Sequence, residues 1–313
     1  MTDYKKLIDA ETWAFIEKTN SYYPPDTIDY SIGEQRRIYD RMCREFHAGY
    51  PDGVRAEDST ISTPTHAIPI RIYRTPAPEA SAMVLYIHGG GFILGGLDSH
   101  DDVCAELCQR SGYEVVSVDY RLAPEHRHPA AFDDAMSAFE WAAGAYTRPI
   151  LLCGDSAGGN LAAAVSHATR AHRRRPIGQV LIYPGLGGDQ SQGSYLTHAE
   201  APMLTVRDLD YYKKIRAGGD EVSGDVTSAP LADTDFSRLP PTVIVTAECD
   251  PLSSDGEAYM SRILAAGGKA WWVEERGLVH SYLRGRHMIG RARESFSRIV
   301  DAVGALGKGV WPY

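Results

Sequence analysis

Cysteine is scarce in this chain of 313 residues: Cys43, Cys104, Cys108, Cys153 and Cys249 are odd in number, dispersed, and nowhere form a C-x-x-C pair. Their spacing argues against a zinc ribbon or a thioredoxin-like redox site and makes buried, reduced thiols the expectation. Long apolar runs are missing too, since none approaches the roughly 20 residues needed to span a bilayer. The start, Met1 to Ile8, leads into a charged, helix-like stretch rather than an apolar leader. A soluble, cytoplasmic protein with no membrane partner is therefore expected. Positive charge is in deficit: 32 Lys+Arg against 41 Asp+Glu give a net charge of −9. That balance argues against a nucleic-acid partner held by bulk positive field. The one basic run, Arg170 to Pro176, falls where a helix is expected to end, a position that favours cations and a terminating proline.

The chain does have the composition of a globular protein, with 43% hydrophobic and 23% charged residues, which excludes disordered and fibrous classes. Residues 1–50 read as two polar-faced helices, carrying Trp13, Phe15 and Ile16, then Ile38, Met42 and Phe46, separated by Tyr22-Tyr23-Pro24-Pro25. Two β-rich runs follow from about residue 54, the second being Ala67 to Tyr73, and suggest an antiparallel pair at a sheet edge. Short apolar runs then alternate with helix-length segments: Ala82 to Ile87, Tyr113 to Val118, Ile150 to Cys153, Gln179 to Tyr183, Pro241 to Ala247 and Lys269 to Glu275. Continuous apolar strands at this spacing predict a mostly parallel sheet covered on both faces, an α/β class fold. A last helix is expected from Met288 to Val303, stopped by Gly304. The interval Gly185 to Leu239 is too long for an ordinary connection, contains a helix near Val206 to Arg216, and reads as an insertion.

The chemistry concentrates in two glycine motifs. Gly154-Asp155-Ser156-Ala157-Gly158 stands between an apolar strand and a helix-like stretch, which is the setting of a nucleophile elbow. Its glycines permit a strained turn that lifts the serine hydroxyl out at the positive end of a helix. The second motif, His88-Gly89-Gly90-Gly91-Phe92, also ends a strand. Its glycines let backbone N–H groups approach a developing oxyanion, and the N–H of Ala157 adds another donor. Gly90 is the safest donor of the three, ahead of Gly89 and Gly91, while His88 is expected to brace the loop rather than transfer protons.

A serine hydroxyl needs a base, and the base needs an anion, in the chain order Ser, Asp or Glu, His. Of the 11 histidines, His280 and His287 alone lie beyond the last strand run. His280, in the loop after that strand, is preferred to His287 near the last helix. For the acid, Asp250 follows an apolar strand and precedes Pro251; Glu248 and Asp255 compete, the latter reading as a helix-start carboxylate.

These motifs, with Asp119-Tyr120-Arg121-Leu122-Ala123-Pro124-Glu125-His126 and Asp250-Pro251-Leu252, resemble the hormone-sensitive-lipase family of carboxylesterases across essentially the whole chain. Ile93 to Asp101 and Glu34-Gln35-Arg36-Arg37 are similar to bacterial acetyl esterases within it. The resemblance implies an α/β-hydrolase fold with a helical cap, hydrolysis of short-acyl esters, no cofactor and no metal. It assigns Ser156 as nucleophile, Asp250 as acid and His280 as base, with Gly89, Gly90, Gly91 and Ala157 as oxyanion donors. Two departures stand out: Tyr282 carries a hydroxyl where many members have Phe, and Ser253-Ser254-Asp255 replaces the frequent Arg-Asp-Glu.

The expected division is a catalytic core of residues 51–184 and 240–313, with 1–50 and 185–239 forming the cap. Phe92 and Leu186 are candidates for the substrate pocket, and Tyr22, Tyr23, Phe46, Tyr211 and Tyr212 for its cap side. Acyl chains from acetyl to about hexanoyl are expected, and the negative charge leaves neutral or apolar esters as reasonable substrates. The same machinery serves an amidase, lactonase or arylformamidase, and more remotely a ligand-binding regulator on this fold. A homodimer is compatible with the sequence but has no specific support in it.

Overall fold

A computed structural model describes residues 2–76, 81–219 and 224–313. Its eight strands are β1 (Arg55–Ser62), β2 (Ala67–Arg74), β3 (Met83–Ile87), β4 (Glu114–Val118), β5 (Ile150–Asp155), β6 (Gly178–Ile182), β7 (Thr242–Cys249) and β8 (Ala270–Val279). They form one sheet in the order β1-β2-β4-β3-β5-β6-β7-β8. β1 and β2 pair antiparallel at one edge, β2 is antiparallel to β4, and the remaining pairs are parallel.

Strand side chains alternate between two cores, which is why each parallel strand reads as an unbroken apolar run. The helices are α1 (Tyr4–Leu7), α2 (Ala10–Tyr22), α3 (Ile32–Phe46), α4 (Asp101–Ser111), α5 (Ala130–Ala145), α6 (Ala157–Ala168), α7 (Ser194–Thr197), α8 (Val206–Ala217), α9 (Ser253–Ala265) and α10 (Gly290–Gly307). Val84 and Tyr86 of β3 pack on the face covered by α2, α3, α4 and α10. Met83, Leu85 and Ile87 pack on the opposite face, under α5, α6 and α9. All five cysteines are buried and unpaired. No helix among the described residues is long and apolar enough to cross a membrane.

Three expected boundaries shift. β8 runs on through Arg276 to Val279, because a register irregularity against β7 absorbs the polar Glu-Arg-Gly stretch. Gly277, at φ +68°, donates its N–H to Glu248 Oε2 there. The last helix starts at Gly290 and passes Gly304 without stopping. Burial of Leu306 on the far side offsets the roughly 1 kcal/mol that an interior glycine costs. In α3 the buried stripe is Gln35, Tyr39, Met42, Cys43 and Phe46, whereas Ile38 lies beside it and is half-buried.

The stretch between β6 and β7 holds α7, α8 and a 3₁₀ turn at Pro230–Ala232. α8 begins with a reciprocal cap, in which Thr205 accepts from the Asp208 N–H and Asp208 accepts from the Thr205 N–H, and Gly218 in the left-handed region ends it. Gln35 of α3 donates to the Tyr211 hydroxyl at 2.7 Å, joining the N-terminal helices to this segment. Arg36 reaches the carbonyls of Ile93 and Ala123 at 2.9 Å each, so α3 also braces the loop after β3.

Candidate active site

The loops following β3, β5, β7 and β8 converge at the carboxyl edge of the sheet, where this architecture leaves a crevice. Ser156 occupies the turn between β5 and α6 with φ 53° and ψ −117°, a strained conformation for a residue with a side chain. Sequence explains how the turn is tolerated. A Cβ on Gly158 would collide with the Ile87 carbonyl, and one on Gly154 would lie 2.5 Å from the Gly158 carbonyl oxygen. Glycine at both positions lets the elbow close against β3.

Ser156 Oγ lies 2.9 Å from Nε2 of His280, whose Nδ1 is 2.7 Å from Oδ2 of Asp250. With Nδ1–H donating to the carboxylate, Nε2 is left to accept from the serine hydroxyl. Asp250 is fully buried, and its other oxygen accepts the Leu252 N–H at 2.9 Å, which orients the carboxylate. The Tyr183 ring packs on the His280 ring at 4.9 Å. His280 follows β8 directly, so its placement comes from the strand rather than from a loop.

The competitors are elsewhere. His287 is half-exposed beside Glu106 at 3.3 Å. Glu248 faces Arg276 and the Gly277 N–H. Asp255 is buried and accepts from the N–H groups of Leu186 and Gly188 and from the Tyr195 hydroxyl. Burial pushes its carboxyl up to about 6 against the pull of those donors.

The glycine loop divides by role. Gly89 donates its N–H to Oδ1 of Asp155 at 3.0 Å, so that donor is already engaged and the expectation for Gly89 is corrected. Gly90 and Gly91 line the cavity beside Ser156 and Ala157, and their N–H groups have no partner among the described residues. Both have positive φ, +124° and +60°, and Gly90 turns its carbonyl back to accept from Ile93 and Leu94. The Tyr212 ring covers Gly91 so closely that an added Cβ would lie 2.8 Å from it.

Asp155, the middle residue of Gly-Asp-Ser, received no role from the sequence. It is buried and accepts from Tyr86 at 2.9 Å and His100 at 3.2 Å as well as from Gly89. Burial alone would raise its carboxyl; the facing His100 and the hydrogen bonds from His100 and Tyr86 outweigh that and hold it low, at about 2. His88 stacks on Tyr120 at 4.3 Å and donates from Nδ1 to the Gly89 carbonyl. Burial, reinforced by His100, lowers its pKa to about 4, which keeps the ring neutral.

A cavity of about 640 Å³ opens over Ser156 and His280, within the range of small-molecule sites. Phe92 lines it. Leu186 does not: its side chain is fully buried in the core beneath α6 and α9, and only its neighbours Gly185, Gly187 and Gly188 reach the wall. Tyr23, Tyr39 and Tyr212 form its outer side, whereas Phe46 turns inward against Phe15 and Tyr22 pairs with Glu45 at the surface. Tyr39 carried no signal beyond its helical spacing from Met42 and Phe46. Among the described residues no group of His, Cys, Asp or Glu is arranged to hold a metal ion.

Comparison with known proteins agrees with this architecture. The α/β-hydrolase fold family matches residues 84–284. The Esterase LipI of Mycobacterium tuberculosis is 38% identical over 258 residues, covering 78% of this chain and 80% of that protein. The ethyl acetate hydrolase of Pseudomonas putida is 34% identical over 249 residues, covering 76% and 78% respectively. The solved structure of a hyperthermophilic esterase from the archaeon Pyrobaculum calidifontis superposes with a TM-score of 0.89 at 31% identity, covering 96% of this chain and 99% of that one. By sequence, fold and the arrangement of its motifs, the chain belongs to the α/β-hydrolase family, within its hormone-sensitive-lipase-like branch of carboxylic ester hydrolases.

Proposed function

We propose that this protein hydrolyses short-acyl carboxylic esters through an acyl-enzyme formed on Ser156. The observation that carries this reading is the continuous relay from Ser156 Oγ to His280 to Asp250, beside two N–H groups with no partner among the described residues. In the first half-reaction His280 Nε2 takes the hydroxyl proton as Oγ attacks the ester carbonyl. The N–H groups of Gly90, Gly91 and Ala157 receive the oxyanion, and Asp250 stabilises the imidazolium. The imidazolium returns its proton to the departing alcohol. Water then adds to the acyl-serine with the same histidine as base, and the acid leaves.

Residues 1–50 and 185–239 act in this reading as the cap, because Tyr23, Tyr39 and Tyr212 supply the wall facing the serine. The short-acyl preference is supported by the relative named for ethyl acetate and by another named acetyl esterase, from Salmonella typhi, 32% identical over 276 residues. A series of p-nitrophenyl esters from acetate to palmitate, run beside Ser156→Ala, tests both parts. Activity should peak between two and about six acyl carbons and vanish in the variant while its circular dichroism stays native. Undiminished turnover by Ser156→Ala would refute the nucleophile, and a maximum at long chains would refute the chain-length preference.

A further inference from the structure

One face of α8 looks into the cavity. Leu209, Tyr212, Lys213 and Arg216 all line it, at the i, i+3, i+4, i+7 spacing that aligns side chains along a helix. The chemistry changes along this stripe. Its N-terminal end continues into Met203 and Leu204, which also line the wall, while its C-terminal end consists of Lys213 and Arg216. Arg284, from the 3₁₀ turn after His280, adds a third cation.

Arg216 is the unusual member. It is only 7% exposed, and its guanidinium carbon lies over the Phe92 ring, 3.5 Å from the centroid. Its hydrogen bonds go to neutral oxygens: the Ser228 carbonyl at 3.2 Å, and the Thr227 carbonyl and Asn160 Oδ1 at 3.4 Å each. Nε has no partner. Among the described residues no carboxylate pairs with Arg216 or Arg284, and Arg284 donates to the Tyr39 hydroxyl at 3.1 Å. The carboxylates on the same wall are occupied, Asp155 by His100, Tyr86 and Gly89, and Asp189 by Ser191 and Gln192.

A buried guanidinium whose hydrogen bonds go to neutral oxygens is costly, and its planar fork matches a carboxylate better than it matches single carbonyls. Burial pulls the Arg216 pKa down to about 9, against the weaker opposite pull of Tyr120 and Asp225, so an anion arriving beside it would relieve the desolvated charge.

We propose that the Arg216 end of the cavity binds a carboxylate carried by the substrate, so that the preferred esters are acidic: hemiesters of dicarboxylic acids, or esters of hydroxy acids. The inference rests on the ester-hydrolase reading above and narrows its substrate class. The net charge of −9 does not oppose it, because a low-dielectric cavity responds to the charges on its own wall. The carboxylate is a spectator in the reaction. Its binding places the ester carbonyl, and the apolar end by Met203 and Leu204 takes the uncharged part.

The test compares kcat/KM for matched pairs at low ionic strength: monoethyl glutarate against ethyl valerate, and 3-acetoxypropanoate against butyl acetate. The first pair places the carboxylate on the acyl side, the second on the alcohol side. At least one acidic ester should be preferred about tenfold or more, with the preference shrinking as NaCl is added. Arg216→Gln should cut that ratio by about tenfold, chiefly through KM, and Arg216→Lys should keep part of it. Equal or better turnover of both neutral esters would overturn the proposal and leave the esterase reading standing. A preference untouched by Arg216→Gln would overturn the role of Arg216. If no ester were turned over, the esterase reading would fall, and calorimetric titration of monoethyl glutarate into Ser156→Ala would still decide the site. Saturable binding weakened by Arg216→Gln supports it, and no heat of binding overturns it.

Discussion

Oδ1 of Asp155 accepts the amide N–H of Gly89 at 3.0 Å, tying the last residue of β5 to the glycine loop that follows β3. Two segments that act together on one carbonyl group in the proposed mechanism are thus joined by a buried carboxylate adjacent to the proposed nucleophile. The same carboxylate holds Tyr86 and His100, so the loop is anchored at several points. In the proposed mechanism such anchoring keeps the oxyanion donors in place before the reaction begins.

Asp155→Asn should therefore lower both activity and stability, since an amide cannot accept all three donors. Breaking a buried charged network of this kind costs about 3–5 kcal/mol. The pH dependence has a definite sign. The carboxyl sits at about 2 in the folded protein against an ordinary 3.8, so its contribution is fully present above 3.8 and is lost as pH falls toward 2. Denaturant titrations across pH 2 to 5 should show a wild-type loss of about 2 kcal/mol from this group, absent in Asp155→Asn. Parallel acid sensitivity in both proteins would remove Asp155 as the source.

Asp250→Asn and Asp255→Asn separate the two buried acids. Asp250 faces His280 Nδ1, so its amide variant should disturb the imidazole tautomer and lower kcat by about 10⁴, with little change in fold. Asp255 instead holds the chain at Leu186 and Gly188, so its variant should raise KM and lower the melting temperature with a smaller effect on kcat. Steady-state kinetics with thermal melts distinguish the two patterns, and interchange of the two results would reassign the acid.

Gly158→Ala and Gly144→Ala form a steric pair. An alanine methyl at position 158 meets the Ile87 carbonyl, and the elbow has no room to yield, so a loss of at least about 3 kcal/mol is expected. At Gly144, within α5, nothing lies within 4 Å of the added carbon. There the substitution should stabilise by about 0.5–1 kcal/mol through helix propensity. Chemical denaturation of both variants measures the contrast.

Phe15→Ala probes how the N-terminal helices support the site. Phe15 is fully buried against Phe46 and touches Gly285 in the turn that carries Arg284. A loss of about 3–5 kcal/mol is expected from the cavity it leaves. KM should rise together with the fall in stability, because α2 rests on the segment following His280; stability loss with unchanged KM would confine Phe15 to a packing role.

The parallel strands were legible because full burial on both faces leaves a mark no other element makes, an unbroken apolar run such as Met83-Val84-Leu85-Tyr86-Ile87. Ser156 was legible because Gly154 and Gly158 are sterically demanded on either side of it. The end of β8 was not, because Glu275-Arg276-Gly277 looks like a turn until β7 is laid beside it with a shifted register. Leu186 was misplaced because a residue next to a strand end can point to the core or the cavity, and only packing against α6 and α9 decides.

Local spacing thus determined the order of elements, the strand-turn-helix elbow and the chain order of Ser156, Asp250 and His280, since each depends on neighbours in sequence. Tertiary structure alone decided that Gly89 spends its N–H on Asp155 and that Arg216 lies buried over Phe92. It also decided that Asp255 holds a loop rather than a histidine. Those outcomes depend on distances between segments far apart in the chain, 66 residues for Asp155 and Gly89 and 60 to 69 for Asp255 and its donors. Hydrogen bonds and desolvation act through space, so a pattern along the chain has no term for them.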